Sequence, residues 1–146
     1  MLAEHKPGYV LMHSLGRPET MQDEPRYKDV VGEIMAFFEE RLAVLERAGL
    51  PLDRIVLDPG IGFGKKLEHN MTILREIERF NALGLPIYMG LSNKSIWQGL
   101  VGAESGERQN ATQAATAVLA AKGVPIHRVH EVQLTRQTLT IARELA

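Results

Sequence analysis

A parallel α/β fold is what the sequence predicts, on three observations. Four short apolar runs alternate with four segments of helical spacing. The runs are continuous rather than alternating, as in parallel strands covered on both faces. Each run empties into a polar or glycine-rich stretch, whereas the opposite ends carry ordinary turns such as Gly49-Leu-Pro51 and Gly84-Leu-Pro86.

The elements follow in order. The first six residues read as the tail of a helix, as though cut from something longer, and Pro7-Gly8 leads into a strand at Tyr9–Met12. A helix is predicted over Tyr27–Leu50, because Val30, Val31, Ile34, Phe37, Phe38, Leu42 and Leu45 fall on one stripe and Gly49 offers a stop. The second strand is Ile55–Leu57. Glu68–Leu83 carries Ile73, Leu74, Ile77 and Phe80 at helical spacing and ends before Gly84 and Pro86. A third strand, Ile87–Gly90, precedes an alanine-rich helix over Asn110–Lys122 that closes at Gly123. A fourth strand, Ile126–Val129, and a last helix, Leu134–Leu145, complete the chain.

Strand then helix, four times over, argues for right-handed parallel βα units. Eight such units close a barrel; four can also form an open sheet with helices on both faces. Periodicity does not separate the two.

Composition bounds the function. The 146 residues are 45% hydrophobic and 24% charged, with a net charge of −1. That balance gives no electrostatic case for nucleic acid or an anionic membrane. Cysteine is absent, which excludes disulfides and thiolate chemistry. No apolar run is long enough to span a bilayer and no signal-peptide pattern opens the chain, so a cytoplasmic location is expected.

In a parallel α/β fold the four polar segments share the carboxyl edge of the sheet, where ligands bind. They are His13-Ser-Leu-Gly-Arg17-Pro18, Asp58-Pro-Gly-Ile-Gly-Phe-Gly-Lys65, Gly90-Leu-Ser-Asn-Lys-Ser95 and His127-Arg-Val-His-Glu131. Gly60, Gly62 and Gly64 either cradle a phosphate or simply turn the chain; the spacing fits neither a P-loop nor a dinucleotide fingerprint. Asp58 can cap that turn or grip a guanidine-like ligand edge. Lys94, at the end of a buried strand, needs a partner: a ligand carbonyl, a Schiff base, or an ion pair with Asp58. Arg128 and His130, two apart on a strand, share a face, with Arg128 able to stack on a heterocycle or hold phosphate and His130 able to donate to an anion. His13, His69, His127 and His130 show no metal-ligand spacing.

These segments resemble the dihydropteroate synthase family. Leu11-Met-His-Ser-Leu-Gly-Arg-Pro-Glu-Thr-Met-Gln22 is similar to its fifth-strand motif, and Leu57-Asp-Pro-Gly-Ile-Gly-Phe-Gly-Lys65 with Glu68-His-Asn70 to its sixth. Gly90-Leu-Ser-Asn-Lys-Ser95 resembles the seventh and Arg128-Val-His130 the eighth. The resemblance implies strands five to eight of a TIM (β/α)8 barrel, with residues 1–146 forming the C-terminal half of a pterin-binding barrel domain. It implies condensation of 6-hydroxymethyl-7,8-dihydropterin diphosphate with para-aminobenzoate, releasing diphosphate. Asp58, Lys94 and Arg128 would bind the pterin, Arg128 and His130 the diphosphate, and Phe63 and Ser92 would lie on the para-aminobenzoate side. The family uses Mg2+, but its ligand belongs to the half not represented here, so no tight magnesium site is expected.

The same resemblance implies a homodimer through the last two helices, or association with the other half-barrel. The chain alone is expected to be inactive. Asn93 stands where the family usually has Arg, a departure at the para-aminobenzoate side. Two other readings remain: a non-catalytic half-barrel that associates through its exposed edges, or the methyltetrahydrofolate-binding domain of a corrinoid methyltransferase. Ser92-Asn-Lys-Ser95 and Arg128-Val-His130 favour the synthase over the latter.

Overall fold

The structure, a computed structural model, describes residues 1–16 and 25–146. Arg17 to Gln22 of the fifth-strand motif lie outside the described residues. A single-turn helix α1 (Leu2–His5) ends where Lys6 enters the left-handed region at φ 44°, and the chain passes into β1 (Tyr9–Met12). Helix α2 (Val30–Arg47) starts at Asp29, whose carboxylate accepts the Gly32 N–H at 3.0 Å. Glu33 reaches back to accept the Lys28 and Asp29 N–H groups at 2.7 and 3.1 Å. These bonds satisfy amides that a helix start otherwise leaves orphaned. After a 3-10 turn at Leu52–Arg54 comes β2 (Ile55–Asp58), and then α3 (Leu67–Arg75).

The single helix predicted over Glu68–Leu83 is divided. It stops at Glu76 and continues as a 3-10 segment, Ile77–Leu83. Three residues per turn bring Ile77 and Phe80 onto one side, and both are buried. Strand β3 (Tyr88–Met89) is shorter than predicted and leads to α4 (Ile96–Val101), a helix the sequence pattern did not reveal. It is six residues long, contains Gly99 and is too short for a periodic stripe. Trp97 anchors it by donating its indole N–H to the Leu91 carbonyl at 3.1 Å. Helix α5 (Arg108–Ala121), β4 (Ile126–His127) and α6 (Val132–Leu145) follow.

The strands are parallel and stand in chain order. Tyr9 to Met12 pair with Ile55 to Asp58, an isolated bridge joins Leu57 to Ile87, and Tyr88-Met89 pair with Ile126-His127. Consecutive helices neighbour one another, α2 on α3, α3 on α4, α4 on α5 and α5 on α6. An order without a reversal point, with the helices in one row, differs from the doubly wound sheet that was the alternative.

One face of the strands therefore carries the core. Leu11, Ile55, Leu57, Ile87 and Met89 are buried in a cluster with Val31, Ile34 and Phe38 of α2, Ile73 of α3, Phe80, Trp97 of α4 and Leu119 of α5. The alternate positions look the other way. Val10 is 42% and Met12 38% exposed, and Val56 and Tyr88 are half-buried. The expectation of strands covered on both faces is thus corrected for the described chain: the second face carries apolar residues without helices over them.

Phe38 and Phe80, both 0% exposed, meet edge to face with centroids 6.1 Å apart. Phe38→Ala leaves a cavity where α2 meets the 3-10 segment, and the loss expected in urea unfolding is about 3–5 kcal/mol.

Candidate functional site

The carboxyl ends of the strands converge on a cleft of about 360 Å³ lined by Val10, Met12, Asp58, Ile61, Phe63, Tyr88, Gly90, Lys94 and Arg128. Its charged members arrive from three successive strand ends. Asp58 closes β2, and its carbonyl accepts the His13 N–H at 3.0 Å, which carries the β1–β2 pairing one residue further. Its side chain is 8% exposed and accepts the Gly60 N–H at 2.8 Å. Asp58 thus caps the turn, one of the roles the sequence left open, and a carboxylate has capacity for further donors. Burial pushes its pKa up, against the pull of Gly60 N–H, Lys94, Arg128 and Lys65.

The glycine-rich stretch is a turn rather than a phosphate cradle. Gly60, Gly62 and Gly64 all have positive φ, 70°, 81° and 62°. Their neighbourhood leaves few amides open: Gly60 N–H serves Asp58, Gly62 N–H donates to Asn70 Oδ1 at 2.8 Å, and Phe63 N–H to the Gly60 carbonyl at 3.1 Å. At Gly60 a Cβ would collide with the His13 carbonyl, so no other residue fits this approach of β1. Asn70, buried, completes the turn by donating to the Lys65 and Lys66 carbonyls.

Lys94 lies over the Phe63 ring, its Nζ 4.1 Å from the centroid, a cation–π contact inside the cleft. Burial lowers its pKa, Arg128 lowers it further and Asp58 opposes both. Arg128 crosses Gly90: a Cβ there would sit 3.1 Å from a guanidinium nitrogen. Its N–H donates to the Met89 carbonyl at 2.8 Å.

The structure corrects the strand argument for Arg128 and His130. Strand β4 ends at His127, so alternation no longer relates the two residues. Arg128 lines the cleft, whereas His130 is exposed and held by Ser92: the Ser92 hydroxyl accepts the His130 N–H at 3.2 Å and pairs with Nδ1 at 2.8 Å. Asp58, Phe63, Lys94 and Arg128 are therefore brought together in the cleft, and Ser92 with His130 forms an adjoining pair. Asn93 adopts φ 57°, a conformation Asn tolerates, and its N–H donates to Thr112 Oγ1 at 3.2 Å.

Sequence reasoning missed one pair. Lys65 is 4% exposed and His13 5%, and Lys65 Nζ lies 3.0 Å from His13 Nδ1. An ammonium has no acceptor, so the ring accepts there and carries its proton on Nε2. Burial and the Lys65 charge lower the His13 pKa to about 4. Lys65 is followed by an ordinary Lys66, so nothing in the sequence marked one lysine as internal.

Comparison with known proteins fits this geometry. The sequence model of the pterin binding enzymes matches residues 1–130. The chain is 38% identical over 131 residues to the dihydropteroate synthase of Escherichia coli K12, covering 90% of this chain and 46% of that protein. Among solved structures it is similar to the Anaplasma phagocytophilum dihydropteroate synthase with bound 6-hydroxymethylpterin-monophosphate, at TM-score 0.92 and 32% identity over 99% of this chain and 57% of that one. The Thermus thermophilus enzyme in complex with 4-aminobenzoate matches at TM-score 0.91 and 40% identity, over 98% of this chain and 58% of that one. The chain spans about half the length of the curated relatives it matches.

The His13 shift has a measurable consequence. Between pH 4 and 6.5 the unfolded imidazole binds a proton that the folded one refuses, so stability rises with pH across that window. The gain expected is about 3 kcal/mol. Urea midpoints should therefore climb more steeply from pH 4 to 6.5 in the wild type than in His13→Asn.

Proposed function

The chain belongs to the pterin-binding enzyme family, and we propose that it supplies strands five to eight of a dihydropteroate synthase barrel. Residues 1–146 are then the C-terminal half of the barrel domain. Among the described residues, four parallel strands in chain order, one row of helices and an apolar second face support this reading, because a barrel interior is packed from such faces. The observation that carries the function is the cleft in which Asp58, Lys94 and Arg128 meet.

In the reaction, the amine of para-aminobenzoate forms a C–N bond to the pterin's exocyclic methylene as the C–O bond to diphosphate breaks. The amine loses a proton and diphosphate carries away the electron pair. Asp58 accepts hydrogen bonds from the pterin's amino and ring N–H groups, and its charge makes them strong. Lys94, steadied on Phe63, donates to the pterin oxygen and ring nitrogen. Arg128 covers the ring and, with His130 held by Ser92, faces the charge that develops on the leaving group. Phe63 and Ser92 border the para-aminobenzoate side. Magnesium belongs to the family's chemistry by resemblance. Among the described residues no group of three or more His, Asp or Glu could hold a metal ion.

The partners follow from the exposed surfaces. The uncovered strand face suits the first four strands of the barrel. Val132, Ile141 and Leu145 of α6, 66%, 60% and 81% exposed, suit a second copy, giving a homodimer. Among the described residues no helix is long and apolar enough to cross a membrane, and the location proposed is the cytoplasm.

Calorimetric titration with 6-hydroxymethylpterin tests the site. Asp58→Asn should weaken binding by roughly 1.5–3 kcal/mol while leaving the fold intact; equal affinities would remove Asp58 from the role. Because burial raises the Asp58 pKa, affinity should fall as pH drops through a value above the ordinary 3.8, and Asp58→Asn should lack that fall. With both substrates and magnesium, the chain alone should turn over negligibly, and adding a polypeptide that carries strands one to four should restore product.

A further inference from the structure

Lys65 does not line the cleft, and the proposed reaction gives it no part. Its Nζ nevertheless has three acceptors at 3.0 Å: the Gly60 carbonyl, the Phe63 carbonyl and His13 Nδ1, with the His13 carbonyl at 3.5 Å. An ammonium has three N–H donors, so these contacts use all of them. None is left for a ligand.

The identity of the gripped residues is informative. Gly60 orients Asp58, since its N–H donates to the Asp58 carboxylate at 2.8 Å. Phe63 supports Lys94, whose Nζ rests 4.1 Å from the ring centroid. One internal cation therefore holds the two residues that aim the carboxylate and the cation of the cleft. A methionine of similar length would fill the same space without burying a charge, which is costly in a dry interior. Filling volume does not account for lysine here, and donating three ways does.

We propose that Lys65 is a positioning residue for a pterin ring, acting through Gly60 on Asp58 and through Phe63 on Lys94. This rests on the pterin reading of the cleft. The titratable groups that face Lys65 come from each neighbouring element: His13 from the end of β1, Asp58 from β2 and Lys94 from the β3–α4 connection. Tyr27, whose hydroxyl donates to the Gly64 carbonyl at 3.0 Å, lies beside them with a pKa pushed up to about 12. Burial lowers the Lys65 pKa to about 7, Asp58 opposing the shift and Lys94 adding to it. Near pH 7 the His13 ring, with its pKa at about 4, and Tyr27 do not titrate.

Two measurements on Lys65→Met test the proposal. The first is calorimetric affinity for 6-hydroxymethylpterin; the second is an NMR titration of the Asp58 carboxyl carbon in the free protein. The expected result is a folded variant that binds the pterin at least tenfold more weakly, with Asp58 titrating at a higher pH because a neighbouring cation is gone. Lys65→Arg, which keeps charge and donors, should recover part of the affinity. A folded Lys65→Met that binds as tightly as wild type overturns the positioning role and leaves the pterin reading intact. A wild type that binds no pterin overturns that reading, and an Asp58 titration unchanged by Lys65→Met then overturns the proposal separately. Should both variants fail to fold, the wild type itself reports: the Gly60 amide and Asp58 carboxyl signals should shift together as the Lys65 ammonium, followed by its own NMR signal, loses its proton, and signals that stay flat through that titration would overturn it.

Discussion

Removing a carboxylate and an ammonium from water inside one turn is costly unless each finds partners, and the turn after β2 is built around that requirement. Asp58 takes the Gly60 N–H, Lys65 takes two carbonyls and an imidazole, and Asn70 bonds on both sides of the loop. These bonds fix where the chain can go, and the glycines with positive φ permit it to go there. His13 directly follows β1, so the same bonds tie the end of the first strand to the second beyond their ladder. The cleft inherits its shape from this turn: Phe63, Ile61 and Asp58 are its members, and Lys94 is seated upon one of them.

Much of this was legible in the sequence because it depends on local pattern. Continuous apolar runs marked the strands, the α2 stripe marked the longest helix, and glycine-rich or charged segments after each strand marked the edge where the cleft lies. What escaped depends on tertiary context. The turn at Glu76 follows from the need to bury Ile77 and Phe80 together, and α4 is too short to show a period. The end of β4 at His127 is set by the two-residue pairing with Tyr88-Met89, which no residue type announces. The burial of Lys65 beside an exposed Lys66 is a matter of which side of the turn faces β1, and composition is blind to that.

The strand layer is asymmetric in a way that helical coverage explains. Leu11, Leu57 and Met89 pack beneath helices, and their alternates Val10, Met12, Val56 and Tyr88 do not. Four of the cleft's members, Val10, Met12, Asp58 and Tyr88, belong to this second face. The candidate cleft and the apolar second face are therefore continuous, and whatever covers the one borders the other.

Asp58, Lys94 and Arg128 come from three successive strand ends, and Ser92 meets His130 across 38 residues of chain. Any molecule bound across them is linked to the integrity of the whole row, because it has no complete site on any single unit. By mass action, free ligand at 100 times its dissociation constant would add about 2.7 kcal/mol to the folded state. Contacts of such long sequence separation also form late and slowly. A small molecule seated there would therefore stabilise the segment from β2 to β4 as a unit and lower its exposure to proteolysis.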